Sequence, residues 1–170
     1  MADHVVLKHL ADLFMQIGAR ATMETLLESD EMLTNSQLLA LRYIWLHADC
    51  PLSELASGLG VSNPAATKIM DRLAQKQLVV RMPGTDRRQI LAALTSKGRD
   101  TVETQLRMQM IAYVSLFNTM TEAEQATLQA GLEVMIDAAV RRWPDWQQLC
   151  LRCGTGCARK DCPLYRYIPS

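Results

Sequence analysis

Aromatic residues are scarce in this chain, at 5% of 170 residues, and glycine is sparse, while Leu, Ala and Met abound. That mix favours helices over sheets. Long apolar runs are missing as well, so no segment reads as a helix that spans a bilayer. The opening residues, MADHVVLKHLADLF, carry acids among their apolar positions and do not resemble a secretion signal. A cytoplasmic protein is expected. No nucleophile–base pair or paired-carboxylate arrangement stands out, which argues against an enzyme. Internal repeats and low-complexity tracts are absent too. What the chain does have is apolar material, 49% of its residues, enough for a real core in a chain of one-domain length.

Net charge is also lacking, at +0, and this speaks against a nucleic-acid partner only until the charges are located. Between residues 68 and 99 the bases are Lys68, Arg72, Lys76, Arg81, Arg87, Arg88, Lys97 and Arg99, opposed only by Asp71 and Asp86. The first 31 residues lean the other way, with Asp3, Asp12, Glu24, Glu28, Asp30 and Glu31 against Lys8 and Arg20. A basic segment on a neutral scaffold is the charge layout of a DNA-binding element.

Hydrophobic spacing divides the chain. Over residues 4 to about 28, Val6, Leu7, Leu10, Leu13, Phe14, Ile17, Ala21 and Leu26 mark a helix with a wide apolar stripe. Thr34, Asn35 and Ser36 offer caps for a second helix that buries Leu38, Leu39, Leu41, Ile44, Trp45 and Leu46. After Pro51 comes the short segment LSELASGLG, with Ser53 as a cap and Gly58 and Gly60 as stops. Ser62 or Asn63 then caps the helix AATKIMDRLAQKQ, and Pro64 suits its first turn. Ala66, Ile69, Met70 and Leu73 fall on one face of that helix; Thr67, Lys68, Asp71 and Arg72 fall largely on the other. LVVRM and QILAAL are short strands around the turn PGTDRR, a β-hairpin with a basic tip. A helix from about Lys97 to Met120, capped by Thr95 and Ser96, precedes one from Thr121 to about Arg142 with a Thr–Glu capping box.

A small helix pair, a third helix and a hairpin, in that order, make a winged helix-turn-helix. The segments LSELASGLGVSNPAATKIMDRLAQKQLVVR and DRRQILAALTSKG resemble the helix-turn-helix and wing signature of the MarR family. One departure is Gln77, where that family usually has a glycine before the first wing strand. The resemblance covers residues 5 to 142 in layout and is specific over Leu52 to Gly98. It implies a mainly α fold with a two-stranded wing and long dimerisation helices, working as a homodimer on double-stranded DNA. The expected division is an N-terminal dimerisation helix at 1–33, a DNA-binding domain at 34–98, C-terminal dimerisation helices at 99–143 and a small irregular Cys-rich tail at 144–170.

A helix N-terminus in the major groove presents its first exposed side chains to base edges. Asn63, Thr67 and Lys68 are donors and acceptors of the right kinds there, and Ser62 suits a phosphate contact. Arg72 lies a turn further on, in reach of a phosphate or of Asp86. Arg87 at the wing tip is placed for a minor groove, while Asp86 and Arg88 either pin the wing or, for Arg88, touch DNA. One recognition helix covers few base pairs, so a two-fold protein on a pseudo-palindromic operator is expected. Val102, Leu106, Met110, Tyr113, Val114 and Phe117, with Leu128, Leu132, Met135 and Ile136, supply packing positions on the two C-terminal helices.

The MarR resemblance does not extend to the tail. Cys150, Cys153, Cys157 and Cys162 read C-x2-C-x3-C-x4-C-P. In a cytoplasmic chain such crowding points to a metal before structural disulfides. The compact spacing and the proline after the last cysteine favour a [4Fe-4S] cluster, with Zn2+ as the alternative and free or disulfide-switching thiols as a third reading. Arg152, Arg159, Lys160 and Arg166 would offset the charge of a four-thiolate centre. Cys50 reads as a buried small residue, and His4, His9 and His47 share no ligand spacing. Three functions stay open: a regulator responding to a redox, oxygen or iron signal through a cluster; a regulator with a structural zinc tail that senses a small aromatic ligand or an oxidant; and a winged-helix electron carrier or scaffold that binds no DNA.

Overall fold

A computed structural model describes residues 3–27, 33–84, 89–143 and 162–164. In chain order the elements are α1 (His4–Leu27), α2 (Asn35–Leu46), β1 (Cys50–Pro51), α3 (Leu52–Leu59), α4 (Asn63–Gln75), β2 (Val79–Pro83), β3 (Ile90–Leu94), α5 (Ser96–Phe117) and α6 (Glu122–Arg142). The fold is mainly helical with one small antiparallel sheet, a winged helix-turn-helix with long flanking helices.

Short polar side chains start most of these helices by satisfying amides that have no partner inside the helix. Thr34 accepts from the Gln37 amide at 3.3 Å while Gln37 accepts from the Thr34 amide at 2.9 Å, a reciprocal box. Ser62, Thr95 and Thr121 cap α4, α5 and α6 in the same manner. At α6 the amide and hydroxyl of Thr121 both donate to Glu124, which holds that carboxyl below its ordinary value. The short helix α3 differs from expectation. Its cap is Pro51, with no side-chain bond, so Ser53 lies inside the helix and caps nothing. Gly60 is the stop, at φ 66, whereas Gly58 is interior and lies against the Tyr43 ring. The α5 helix ends at Phe117, three residues before the expected Met120, because Asn118, Thr119 and Met120 turn back onto Val114, Leu116 and Phe117.

The sheet holds one strand more than the hairpin alone. Its order is β1-β3-β2, with Val79 opposite Leu94, Pro83 opposite Ile90 and Cys50 opposite Ala92. Two residues, one of them proline, carry no alternation that a sequence reading could detect. The core joins Leu38, Leu41, Tyr43 and Ile44 of α2 to Leu55 of α3, Met70 and Leu73 of α4, Ala92 of β3 and Val102 of α5. The long helices are different. On α1, Leu10 is 57% and Leu13 61% exposed, and α6 buries no residue at all within the single chain.

Between α4 and β2 the backbone turns through Gln77 at φ 60, a left-handed position that a side chain makes costly. Its carbonyl accepts from the Thr95 hydroxyl at 2.7 Å, so the turn is held by the base of the wing. Replacing Gln77 with glycine is expected to raise the unfolding free energy by about 0.5–1 kcal/mol, strain relief outweighing the added freedom of the unfolded chain. A rise in the urea midpoint at constant slope would register it.

Candidate nucleic-acid interface

Helix α4 is held by its apolar face, where Ala66, Met70 and Leu73 are buried. The opposite side carries Pro64, Lys68 and Arg72, all exposed. Five of the expected site residues thus come together on one element: Ser62 as the cap, Asn63 in the first turn, then Thr67, Lys68 and Arg72. Thr67 is half-buried, and its hydroxyl donates to the Asn63 carbonyl at 2.9 Å.

Two contacts lock this helix to the wing. Asp71 pairs with Arg81 of β2 at 2.7 Å. Both side chains are partly exposed, so the pair adds at most about 1 kcal/mol and acts chiefly by fixing orientation. The Lys97 ammonium donates to the Lys76 carbonyl at 3.2 Å, joining the start of α5 to the end of α4. Sequence order alone suggests Asp86 as a partner for Arg72 and gives no sign of the Asp71–Arg81 pair. A cross-element pair between two residues ten apart has no periodic signature.

At the tip end of the two strands the hairpin is drawn together by the Gly84 amide donating to the Gln89 carbonyl at 2.8 Å. Asp86, Arg87 and Arg88 lie between them in sequence and outside the described residues, as do Cys150, Cys153 and Cys157. Cys162 is described and half-buried, two residues before the buried Leu164. Among the described residues no group of three or more His, Cys, Asp and Glu is placed to hold a metal, and no helix is long and apolar enough to cross a membrane. Cys50 is buried in β1, and burial, followed by the Glu54 charge, pushes its thiol up to about 12. It stays protonated and inert near neutral pH.

Sequence reasoning missed a buried cation. Arg42 of α2 is only 6% exposed, and its Nη2 donates to Gln109 Oε1 on α5 at 3.1 Å. Its Nε has no hydrogen-bond partner, and burial lowers its pKa. Nearby, Tyr43 is fully buried with its hydroxyl donating to Glu54 at 3.2 Å; burial first, then Glu54, drives its pKa upward. That bond ties α2 to the first turn of α3.

The two short helices, the exposed basic face of the second and the hairpin behind it define a winged helix-turn-helix of the kind that reads duplex DNA. Residues 33–90 match the model of the MarR family. Solved structures with the same fold include RV1404 from Mycobacterium tuberculosis, 29% identical, with a TM-score of 0.66, covering 82% of this chain and 96% of that one. The apo form of wild-type MarR from E. coli is 28% identical, with a TM-score of 0.63 over 79% of this chain and 98% of its own. A MepR variant of S. aureus bound to an oligodeoxyribonucleotide shares 20% identity and a TM-score of 0.59, over 78% and 97% of the two chains; this likeness is one of fold. No curated protein sequence matches the chain at a significant level. The chain is thus similar to MarR family proteins over residues 33–90, and it shares the winged helix-turn-helix fold of the solved structures over most of its length.

Proposed function

We propose that this chain is a homodimeric transcription regulator whose affinity for a pseudo-palindromic operator is modulated by a C-terminal [4Fe-4S] cluster. The observation that carries the DNA-binding part is the outward face of α4, where Lys68 and Arg72 are exposed while the apolar face is buried in the core. A winged-helix electron carrier or scaffold would need no such face. The oligonucleotide bound by the MepR variant of similar fold supports the same reading.

Dimerisation is supported by apolar surface that the single chain leaves open. On α1, Val6, Leu10, Leu13, Phe14 and Ile17 recur at helical spacing and are all exposed, as are Met110 and Val114 of α5 and Met135 of α6. Covering that stripe with a second copy places two recognition helices on paired half-sites.

The cluster rests on donor chemistry. Cys150, Cys153, Cys157 and Cys162 would hold it as thiolates, and the lone Cys50, buried and protonated, takes no part. Oxygen, reactive species, nitric oxide or iron shortage would remove or oxidise such a cluster and shift the dimer between DNA-competent and incompetent spacings. Metal and acid-labile sulfide analysis of anaerobically purified protein, with a visible spectrum, tests this directly. Iron with sulfide and a brown chromophore, all lost in Cys153→Ser, are the expected results. Colourless protein carrying zinc would reduce the tail to a structural clasp.

One observation favours a second reading, in which the tail binds Zn2+ and the signal is a small aromatic acid held between the DNA-binding and dimer helices. The buried Arg42 guanidinium lies between α2 and α5 with no carboxylate partner among the described residues. An anion there would supply the missing charge.

A further inference from the structure

The outward face of α4 has a second property besides its charge: the hydroxyl of Thr67 and the carboxylate of Asp71, which flank Lys68, are already engaged. The Thr67 hydroxyl hydrogen goes to the Asn63 carbonyl at 2.9 Å, and the residue is half-buried. The Asp71 carboxylate, three residues beyond Lys68 and able to pair with it on a helix, is taken by Arg81 at 2.7 Å. Lys68 therefore keeps its donors, with no carboxylate partner among the described residues.

Pro64 lies four residues before Lys68, so the two side chains are stacked on the same side of the helix, and both are exposed. The proline ring brings no donor of its own. What it presents in a major groove is an apolar surface. Among the four bases only thymine offers a methyl group there, and guanine alone offers two adjacent acceptors, O6 and N7, to a cation.

We propose that Pro64 and Lys68 form the specificity pair of this helix, Pro64 selecting a thymine through its methyl group and Lys68 a nearby guanine in each half-site. Four residues span about 6 Å along the helix axis, close to the rise of two base pairs, so the thymine and guanine lie within two pairs of each other. The inference rests on the DNA-binding reading above and adds the bases selected.

Selection of duplexes from a random pool with the wild-type dimer, followed by binding titrations on the preferred duplex, tests it. Replacing the specified thymine with deoxyuridine removes only the methyl and is expected to weaken wild-type binding about three- to fivefold per half-site. Pro64→Gly, which leaves no side chain to meet the methyl, is expected to bind the thymine and deoxyuridine duplexes equally. Lys68→Ala is expected to lose about tenfold in its preference for guanine while keeping the methyl effect. The deoxyuridine comparison uses the unaltered protein, so it holds even if a substitution disturbs the start of the helix. A wild-type response below about twofold at every thymine, or a methyl effect that survives in Pro64→Gly, overturns the assignment. Salt-sensitive binding without sequence preference would overturn it and leave the DNA-binding reading standing. No duplex binding at all would overturn both.

Discussion

Gly98→Ala is expected to destabilise the fold by about 3 kcal/mol. A Cβ at residue 98 would lie 1.9 Å from the Leu78 carbonyl oxygen and 2.9 Å from its carbon, both backbone atoms that no rotamer change can move. The same carbonyl accepts from the Thr95 amide at 3.1 Å, and the Thr95 hydroxyl accepts from the Gly98 amide at 2.9 Å. Displacing Leu78 would therefore break the cap of α5 and the base of β2 together. Since α4 leads into β2 through Gln77, the recognition helix would lose its footing as well. Urea unfolding followed by circular dichroism measures the loss, with Arg99→Ala, at an exposed neighbour, expected to stay within about 0.5 kcal/mol of wild type. A Gly98→Ala protein as stable as that control would contradict the close approach of α5 to Leu78.

Arg42→Met is expected to act in the opposite direction, stabilising the protein by about 1–2 kcal/mol in the absence of any effector. Removing the guanidinium from water is costly, and one hydrogen bond to the amide oxygen of Gln109 recovers only part of that cost. The orphaned Nε adds a further unmet donor. Methionine keeps the volume of the stem and its packing between α2 and α5 while removing the charge. A lower urea midpoint for Arg42→Met would show that the charge is compensated in the folded protein. In the small-acid reading the substitution would also abolish the response to that effector, which separates a sensing role from a purely structural one.

Much of this fold could be read from residue types alone. Thr34, Ser62, Thr95 and Thr121 announced four helix starts because a short hydroxyl just before an apolar-periodic run has one favourable use. The hairpin was legible from β-favouring runs around PGTDRR, and the exposed face of α4 from the phase of Ala66, Met70 and Leu73. Gln77 stood out as a misfit in sequence, and its backbone does take the left-handed conformation that a glycine would have filled.

What stayed hidden depends on contacts between distant elements. The Arg81–Asp71 pair, the Arg42–Gln109 bond across 67 residues and the pairing of Cys50 with Ala92 leave no local pattern. Pro64 was legible only as a helix starter, because its exposure on the outward face follows from how α4 is buried. Ser53 looked like a cap because LSELASGLG gives no sign that Pro51 closes β1 and opens α3 in one residue.

Binding to the duplex selected from a random pool, titrated across a salt series with the bound stoichiometry measured, tests the central claim most directly. The expected result is two chains per duplex, with affinity falling steeply as salt rises. In Arg87→Ala the logarithmic slope is expected to fall by about 2, because each protomer then neutralises one phosphate fewer. Binding that is absent, indifferent to salt or unchanged in Arg87→Ala would contradict a dimeric regulator that reads DNA through α4 and a basic wing.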